Sequence, residues 1–281
     1  MVAFALFSLA IALPKFKVVA EADSLFPSFL PKDVNRIKDP FARTLASRIQ
    51  RLPVSVSFSE NPIMSSCVKP LMQNKANPVV LLHGFDSSCL EWRYTYPLLE
   101  EAGLETWAFD ILGWGFSDLE KLPSCDVVSK REHFYQFWKS YIKKPMILVG
   151  PSLGSAVAID FAINYPEAVE KLVLIDASVY AEGTGNLATL PKAVAYAGVY
   201  LLKSIPLRVY ANYLSFTNIS FSTSLDWTNQ LHCELPDAII RQIPDCGHLP
   251  HVERPDSVVK LMVEFVQKDT KTAVNQCVPS L

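Results

Sequence analysis

Solid apolar runs at 78–82, 106–109, 146–149 and 172–175 mark the middle of the chain. Each stops at a small, basic or acidic position: His83-Gly84, Asp110, Gly150 and Asp176. Runs this short, with no polar residue on alternate positions, are expected of strands buried on both faces. Helical patterns lie between the later ones. Ser129 and Glu132 have the spacing of a capping box ahead of Phe134, Phe137, Trp138 and Tyr141. The Ala-rich stretch 153–164 stops at Tyr165-Pro166. Strands alternating with helices predict a parallel sheet with helices on both faces.

The flanks are patterned differently. Asp39 is placed to cap a helix with Pro40 at its first position, and Ile37, Phe41, Leu45 and Ile49 recur every four residues. This predicts one amphipathic helix ended by Pro53. Val54, Val56 and Phe58 then alternate with Ser55, Ser57 and Ser59, as in a half-buried edge strand. From about 177 to 230 the pattern changes. An apolar helix is expected over 190–204, followed by a stretch rich in aromatics, Ser and Asn without a clear period. A final strand is expected over 238–243. Pro255 opens a last helix, with Val258, Val259, Leu261, Met262, Phe265 and Val266 at helical spacing. The expected organisation is a leader (1–30), an N-terminal helix and edge strand (31–77), a core (78–176) and a cap-like excursion (177–234). A C-terminal strand, His-bearing loop and helix (235–268) and a tail (269–281) complete it.

Composition narrows the function. A chain of 281 residues can bury a core without disulfide or metal staples. Net charge is -2 and no basic stripe is present, so nucleic-acid binding has no electrostatic support. The six Cys are scattered without C-x-x-C spacing and read as free thiols. Residues 2–13 are almost wholly apolar, too few to span a bilayer. Their length fits a signal-peptide core, and Ala20-Glu21-Ala22 has a cleavage pattern, although no Lys or Arg precedes the core. A cleaved targeting segment, a membrane-surface anchor and an unstructured leader are the three readings. Asn218-Ile219-Ser220 is a glycosylation sequon, meaningful only on the secretory path.

The chemistry centres on Gly150-Pro151-Ser152-Leu153-Gly154, a G-x-S-x-G match between an expected strand and an expected helix. A nucleophilic Ser needs such a sharp turn to expose its oxygen, with small neighbours so that the backbone can pass closely. Attack on an ester or amide carbonyl makes an oxyanion that needs preorganised donors. The Leu153 N–H is one, and the Phe85 N–H, after the strand ending in His83-Gly84, is the other. Of five His residues, His248 follows an expected strand end on a Gly-containing loop and is the base. His83 and His251 read as structural, and His133 as a helix packing or surface residue. Cys246, His248 and His251 fit no compact zinc spacing. No dinucleotide fingerprint is present, so neither cofactor nor metal is implied.

Together, "LLHGFDSS", "AFDILGWGFSD", "VGPSLGSA", "LVLIDAS" and "GHLPHVERPDSVVKLMVEF" resemble the α/β-hydrolase superfamily over about 78–266. The resemblance is to its cap-bearing branch, which includes carbon-carbon bond hydrolases, esterases and epoxide hydrolases. Ser152 in place of Asp argues against epoxide chemistry. The stretch "SFLPKDVNRIKDPFARTLASRIQRLPVSVSFSE" is similar to plant members associated with plastids. The resemblance implies the α/β-hydrolase fold, a mostly parallel sheet with a reduced helical cap. It also implies Ser152 as nucleophile, His248 as base, Phe85 and Leu153 as the oxyanion hole, and Asp110, Gly113, Gly115 and Ser117 as a structural turn.

One part is missing. Such hydrolases carry a strand ending in a Gly-x-x-Asp segment before the His, and none is found between Ser178 and Leu235. The chain resembles a product with an internal deletion. Asp176, Asp226 and Asp245 are the substitute acids, and the remaining reading is no acid at all. Three functions follow: a serine hydrolase of weakened activity on an ester-like or carbon-carbon substrate, an inactive binding protein of the same fold, or a truncated isoform. The expected partner is a small apolar substrate. Membrane association through the apolar leader and a plastid location, or the secretory path, complete the expectations.

Overall fold

The computed structural model describes residues 25–121, 123–177 and 238–267. Its sheet has six strands: β1 (Ile49–Val54), β2 (Ile63–Val68), β3 (Val79–Leu81), β4 (Thr106–Phe109), β5 (Met146–Pro151) and β6 (Val169–Ile175). Their spatial order is β1-β2-β4-β3-β5-β6. The first two pair antiparallel with each other, and β2 pairs antiparallel with β4; β4, β3, β5 and β6 are parallel. The helices are α1 (Pro40–Ala46), α2 (Thr95–Glu101), α3 (Val127–Phe137), α4 (Leu153–Asn164), α5 (Pro250–Glu253) and α6 (Pro255–Gln267).

The solid apolar strands β3, β4 and β5 fill two cores, one per face, whereas β6, expected to be buried on both faces, lies at the edge of the described sheet with only Ile175 buried. Val79, Leu81, Ala108, Ile147 and Val149 point to one face, with Leu45 of α1, Tyr96 and Leu99 of α2, and Val258, Val259 and Met262 of α6. Val80, Leu82, Trp107, Phe109, Met146 and Leu148 point to the other, with Phe134 and Phe137 of α3 and Ala158 and Phe161 of α4. Strand side chains alternate between faces, so a strand between two cores has no position for a polar residue. Each fully buried Leu or Val contributes roughly 1.5–3 kcal/mol relative to exposure.

Several expectations are corrected. Asp39 caps α1, accepting from Phe41 N–H at 2.9 Å and Ala42 N–H at 3.3 Å, with Pro40 at the first position. The helix stops at Ala46, however, and the edge strand runs over Ile49–Val54 rather than 54–59. Ile49 thus belongs to a strand, and Phe41 is exposed. Pro53 lies inside β1, where an edge strand tolerates the missing N–H. Strand β2 was not expected: Ser65 and Ser66 interrupt its apolar pattern, yet both are wholly buried. The Ser129–Glu132 capping box does not form. Asp126 caps α3 by accepting from Ser129 N–H at 2.8 Å, and Glu132 instead accepts from Ser57 N–H and Oγ–H. Residues 238–243 form no strand. The helix expected over 190–204, the sequon and Asp226 lie outside the described residues.

Candidate active site

The parallel strands end together, and the candidate residues gather beyond those ends. After Pro151 the chain turns sharply at Ser152, whose φ of 47° and ψ of -118° are strained for a residue with a side chain. Close packing enforces this turn. A Cβ on Gly150 would lie 2.3 Å from the carbonyl oxygen of Gly154, and a Cβ on Gly154 would lie 2.6 Å from that of His83. Leu153 then opens α4, so its N–H stands at the positive end of a twelve-residue helix.

The loop after β3 lies against the elbow: a Cβ on Gly84 would sit 3.9 Å from Ser152 Cβ. His83 is wholly buried and structural. Its Nδ1–H donates to Gly84 C=O at 2.7 Å, and its Nε2 accepts from Ile111 N–H at 3.1 Å. Phe85 follows, 55% exposed, its ring edge-on to Trp114 at 5.7 Å between centroids. Below, Asp110 accepts from Cys89 N–H at 2.6 Å, Phe116 N–H at 2.9 Å and Ser66 Oγ–H. A Cβ on Gly115 would strike the Asp110 carboxyl at 2.1 Å, and Gly115 has a φ of 71°. The turn from Asp110 to Ser117 therefore requires glycine there.

On the other side of Ser152 is Asp176. Strands β5 and β6 pair Pro151 with Ile175, so Ser152 and Asp176 each follow one member of a matched pair. The Ser152 N–H donates to Ile175 C=O at 3.0 Å, and Asp176 has a φ of 42°. Its carboxylate accepts a hydrogen bond from His248 Nδ1–H. That bond puts the ring proton on Nδ1 and leaves Nε2 as the basic nitrogen. Both side chains are about one-third exposed, 36% for His248 and 31% for Asp176. The hydrogen bond to Asp176 raises the His248 pKa above the ordinary imidazole value, against the opposing pull of burial. Glu253 on α5 fixes the His248 loop by accepting from Gly247 N–H at 2.8 Å and Leu249 N–H at 3.3 Å.

Asp176, a substitute acid at the end of its own strand, is thus brought to His248. Asp245 offers its backbone carbonyl to Arg254 and has a φ of 55°. His133 is buried at the far face, its Nε2 2.5 Å from Ser65 Oγ. Cys246 Sγ–H donates to Ile243 C=O, while His248 and His251 meet different carboxylates, Asp176 and Glu91. Among the described residues Cys67, Cys89, Cys125 and Cys246 are free thiols. Sequence reasoning missed Glu91, which is buried beside the Gly84 loop; an acidic residue between Leu90 and Trp92 was the available signal.

Comparison with known proteins agrees with this architecture. A family model described as the alpha/beta hydrolase fold matches residues 77–238. An Arabidopsis thaliana protein, "Alpha/beta hydrolase domain-containing protein VTE7", is 51% identical over 306 residues, covering 89% of this chain and 92% of that protein. A human (lyso)-N-acylphosphatidylethanolamine lipase is 33% identical over 122 residues, 42% of this chain and 35% of the lipase. Among solved structures, a thermophilic esterase from Thermogutta terrifontis superimposes with a TM-score of 0.62 at 17% identity, over 78% of this chain and 98% of the esterase. The six-stranded sheet, the elbow at its parallel edge and the family match lead to one conclusion: the chain belongs to the α/β-hydrolase fold family.

Proposed function

We propose that the chain is a serine hydrolase in which Ser152 is the nucleophile, His248 the base and Asp176 the acid. The observation that carries this reading is the Asp176–His248 hydrogen bond beside the strained Ser152 turn. His248 Nε2 takes the Ser152 proton as the oxygen attacks an ester-like carbonyl. The N–H groups of Phe85 and Leu153 receive the developing oxyanion. Asp176 keeps the imidazole in the productive tautomer and stabilises the imidazolium. His248 then protonates the leaving group, and water repeats the sequence to release the acid.

An apolar substrate is favoured by the exposed Phe85 ring and its neighbour Trp114 at the loop beside Ser152. The internal deletion is supported by the Arabidopsis alignment, which is longer than this 281-residue chain, so a stretch of the relative has no counterpart here. On this reading Asp176 takes over the role of an acid carried by the deleted strand. A plastid location is supported by the similarity to a plant protein and is checked by import into isolated chloroplasts.

The test is a fluorophosphonate serine probe on the purified chain. Labelling is expected, and Ser152→Ala is expected to abolish it. A cooperatively melting protein that does not label would be a binding protein of this fold. A chain that does not melt cooperatively would be a truncated, non-functional isoform.

A further inference from the structure

The loop bearing Phe85 and the loop bearing His248 come from opposite ends of the chain, yet one buried group touches both. The Glu91 carboxylate accepts from Gly84 N–H at 3.1 Å through Oε2 and at 3.3 Å through Oε1. Its Oε1 also accepts from His251 Nε2–H at 2.8 Å. Glu91 is 8% exposed and His251 wholly buried. The Thr95 hydroxyl donates to the carbonyl of His251, and the His251 ring packs on Trp92 at 4.5 Å between centroids.

Two further facts argue that this is more than filler. A buried carboxylate is expensive unless its lone pairs are occupied, and a hydrophobic pair of similar volume would serve packing at least as well. Among the described residues His251 Nδ1 is buried with no partner, so the ring makes one donation there, from Nε2 toward Glu91. Glu91 remains ionised there. Burial works to raise its pKa, but the hydrogen bonds from His251 and the Ser87 hydroxyl act against it, and the carboxyl is held below the ordinary carboxylate value.

We infer that Glu91 and His251 are positioning residues that lock the Gly84-Phe85 oxyanion loop to the His248 loop, so that donor and base keep a fixed separation across Ser152. This rests on the serine-hydrolase reading. The carboxylate occupies the Gly84 N–H, which leaves the next amide, that of Phe85, as the loop's donor for the oxyanion. The same charge bears on His248, which three carboxylates face: Asp176 from the end of β6, Glu91 from the turn after β3 and Glu253 from α5. All three favour its protonated form.

The experiment compares the full chain with Glu91→Gln, using three readouts. Glutamine offers one acceptor where the carboxylate offered two, so it cannot satisfy both Gly84 N–H and His251 Nε2–H. Exchange protection of the Gly84 amide is expected to fall at least tenfold. The titration midpoint of the His248 ring, followed by NMR, is expected to move to lower pH. Fluorophosphonate labelling at high pH is expected to slow at least tenfold. His251→Gln, which keeps an N–H donor toward Glu91, should change all three in the same direction but less, and serves if Glu91→Gln fails to fold. Unchanged Gly84 protection and an unchanged His248 midpoint would overturn the inference, as would loosened protection with undiminished labelling. Failure of the wild-type chain to label would instead overturn the hydrolase reading, because exchange and titration do not require turnover.

Discussion

The two sides of the candidate site stand on unequal ground. Ser152 follows β5, a strand buried along its whole length between two neighbours. Its surroundings are locked by backbone contacts and by buried His83, Asp110 and Glu91. Asp176 follows β6, which among the described residues pairs only with β5 and has one buried residue, Ile175. His248, its partner, comes from a loop fixed by Glu253. The strands match in register from Ile147 to Pro151, and the rungs nearest the site are apolar, Leu148 opposite Leu172 and Val149 opposite Val173. Depth within the sheet separates a buried Ser152 side from a partly exposed Asp176–His248 side.

The largest break is expected from Asp176→Asn. A neutralised acid in a Ser-His-Asp triad costs about 10⁴ in turnover, with the geometry kept. Probe labelling should fall by about that factor, while thermal melting changes little. Undiminished labelling would remove Asp176 from the proposed triad. On the buried Ser152 side, Gly150→Ala should cost about 1–3 kcal/mol or more, because the added carbon meets backbone rather than a movable side chain. Denaturant unfolding measures it.

A matched pair sharpens the contrast between the strands. Leu148→Ala should cost about 3 kcal/mol as a wholly buried cavity mutation, and Leu172→Ala on the same rung about half that. Equal losses would mean that β6 is as enclosed as β5. The pH dependence reports the acid–base side. Labelling should rise with pH through a midpoint above the ordinary imidazole value, because the proposed base, His248, would act when neutral. The stability from its pairing has the opposite sign: it is fully present below the unfolded imidazole value and lost as pH rises through the raised folded value. Asp176→Asn should move the labelling midpoint down. The smallest effect is expected for Arg131→Ala, which breaks a 2.9 Å surface ion pair with Asp160 and should cost less than about 1 kcal/mol.

Legibility followed the same depth. The central strands could be read from composition alone because a strand between two cores admits only apolar residues, and α4 and α6 fall at the expected residues. The periphery could not. Strand β2 is masked by Ser65 and Ser66, whose hydroxyls are satisfied by His133 and Asp110, partners distant in sequence. The four-residue spacing of Ile37, Phe41, Leu45 and Ile49 imitates one helix, although the chain leaves the helix at Ala46 and Ile49 enters the sheet. At the site, the elbow and the His loop had local signatures. The contact of Asp176 with His248 spans 72 residues and depends on strand register, which no short motif encodes. Glu91 had only the weak trace of an acidic residue between Leu90 and Trp92, because its partners Gly84 and His251 are assembled only by the fold.

The matched register of β5 and β6 has a consequence for how this scaffold can change. Ser152 and Asp176 are spaced by a single rung of one ladder, and the amide of the first is tied to the strand of the second. Their separation is therefore indifferent to whatever chain is inserted or excised between Asp176 and the His248 loop. Segments of different length in that interval leave the Ser152–Asp176 spacing as the ladder sets it. A protein engineer could vary that interval without rebuilding the strand pair that spaces the two residues.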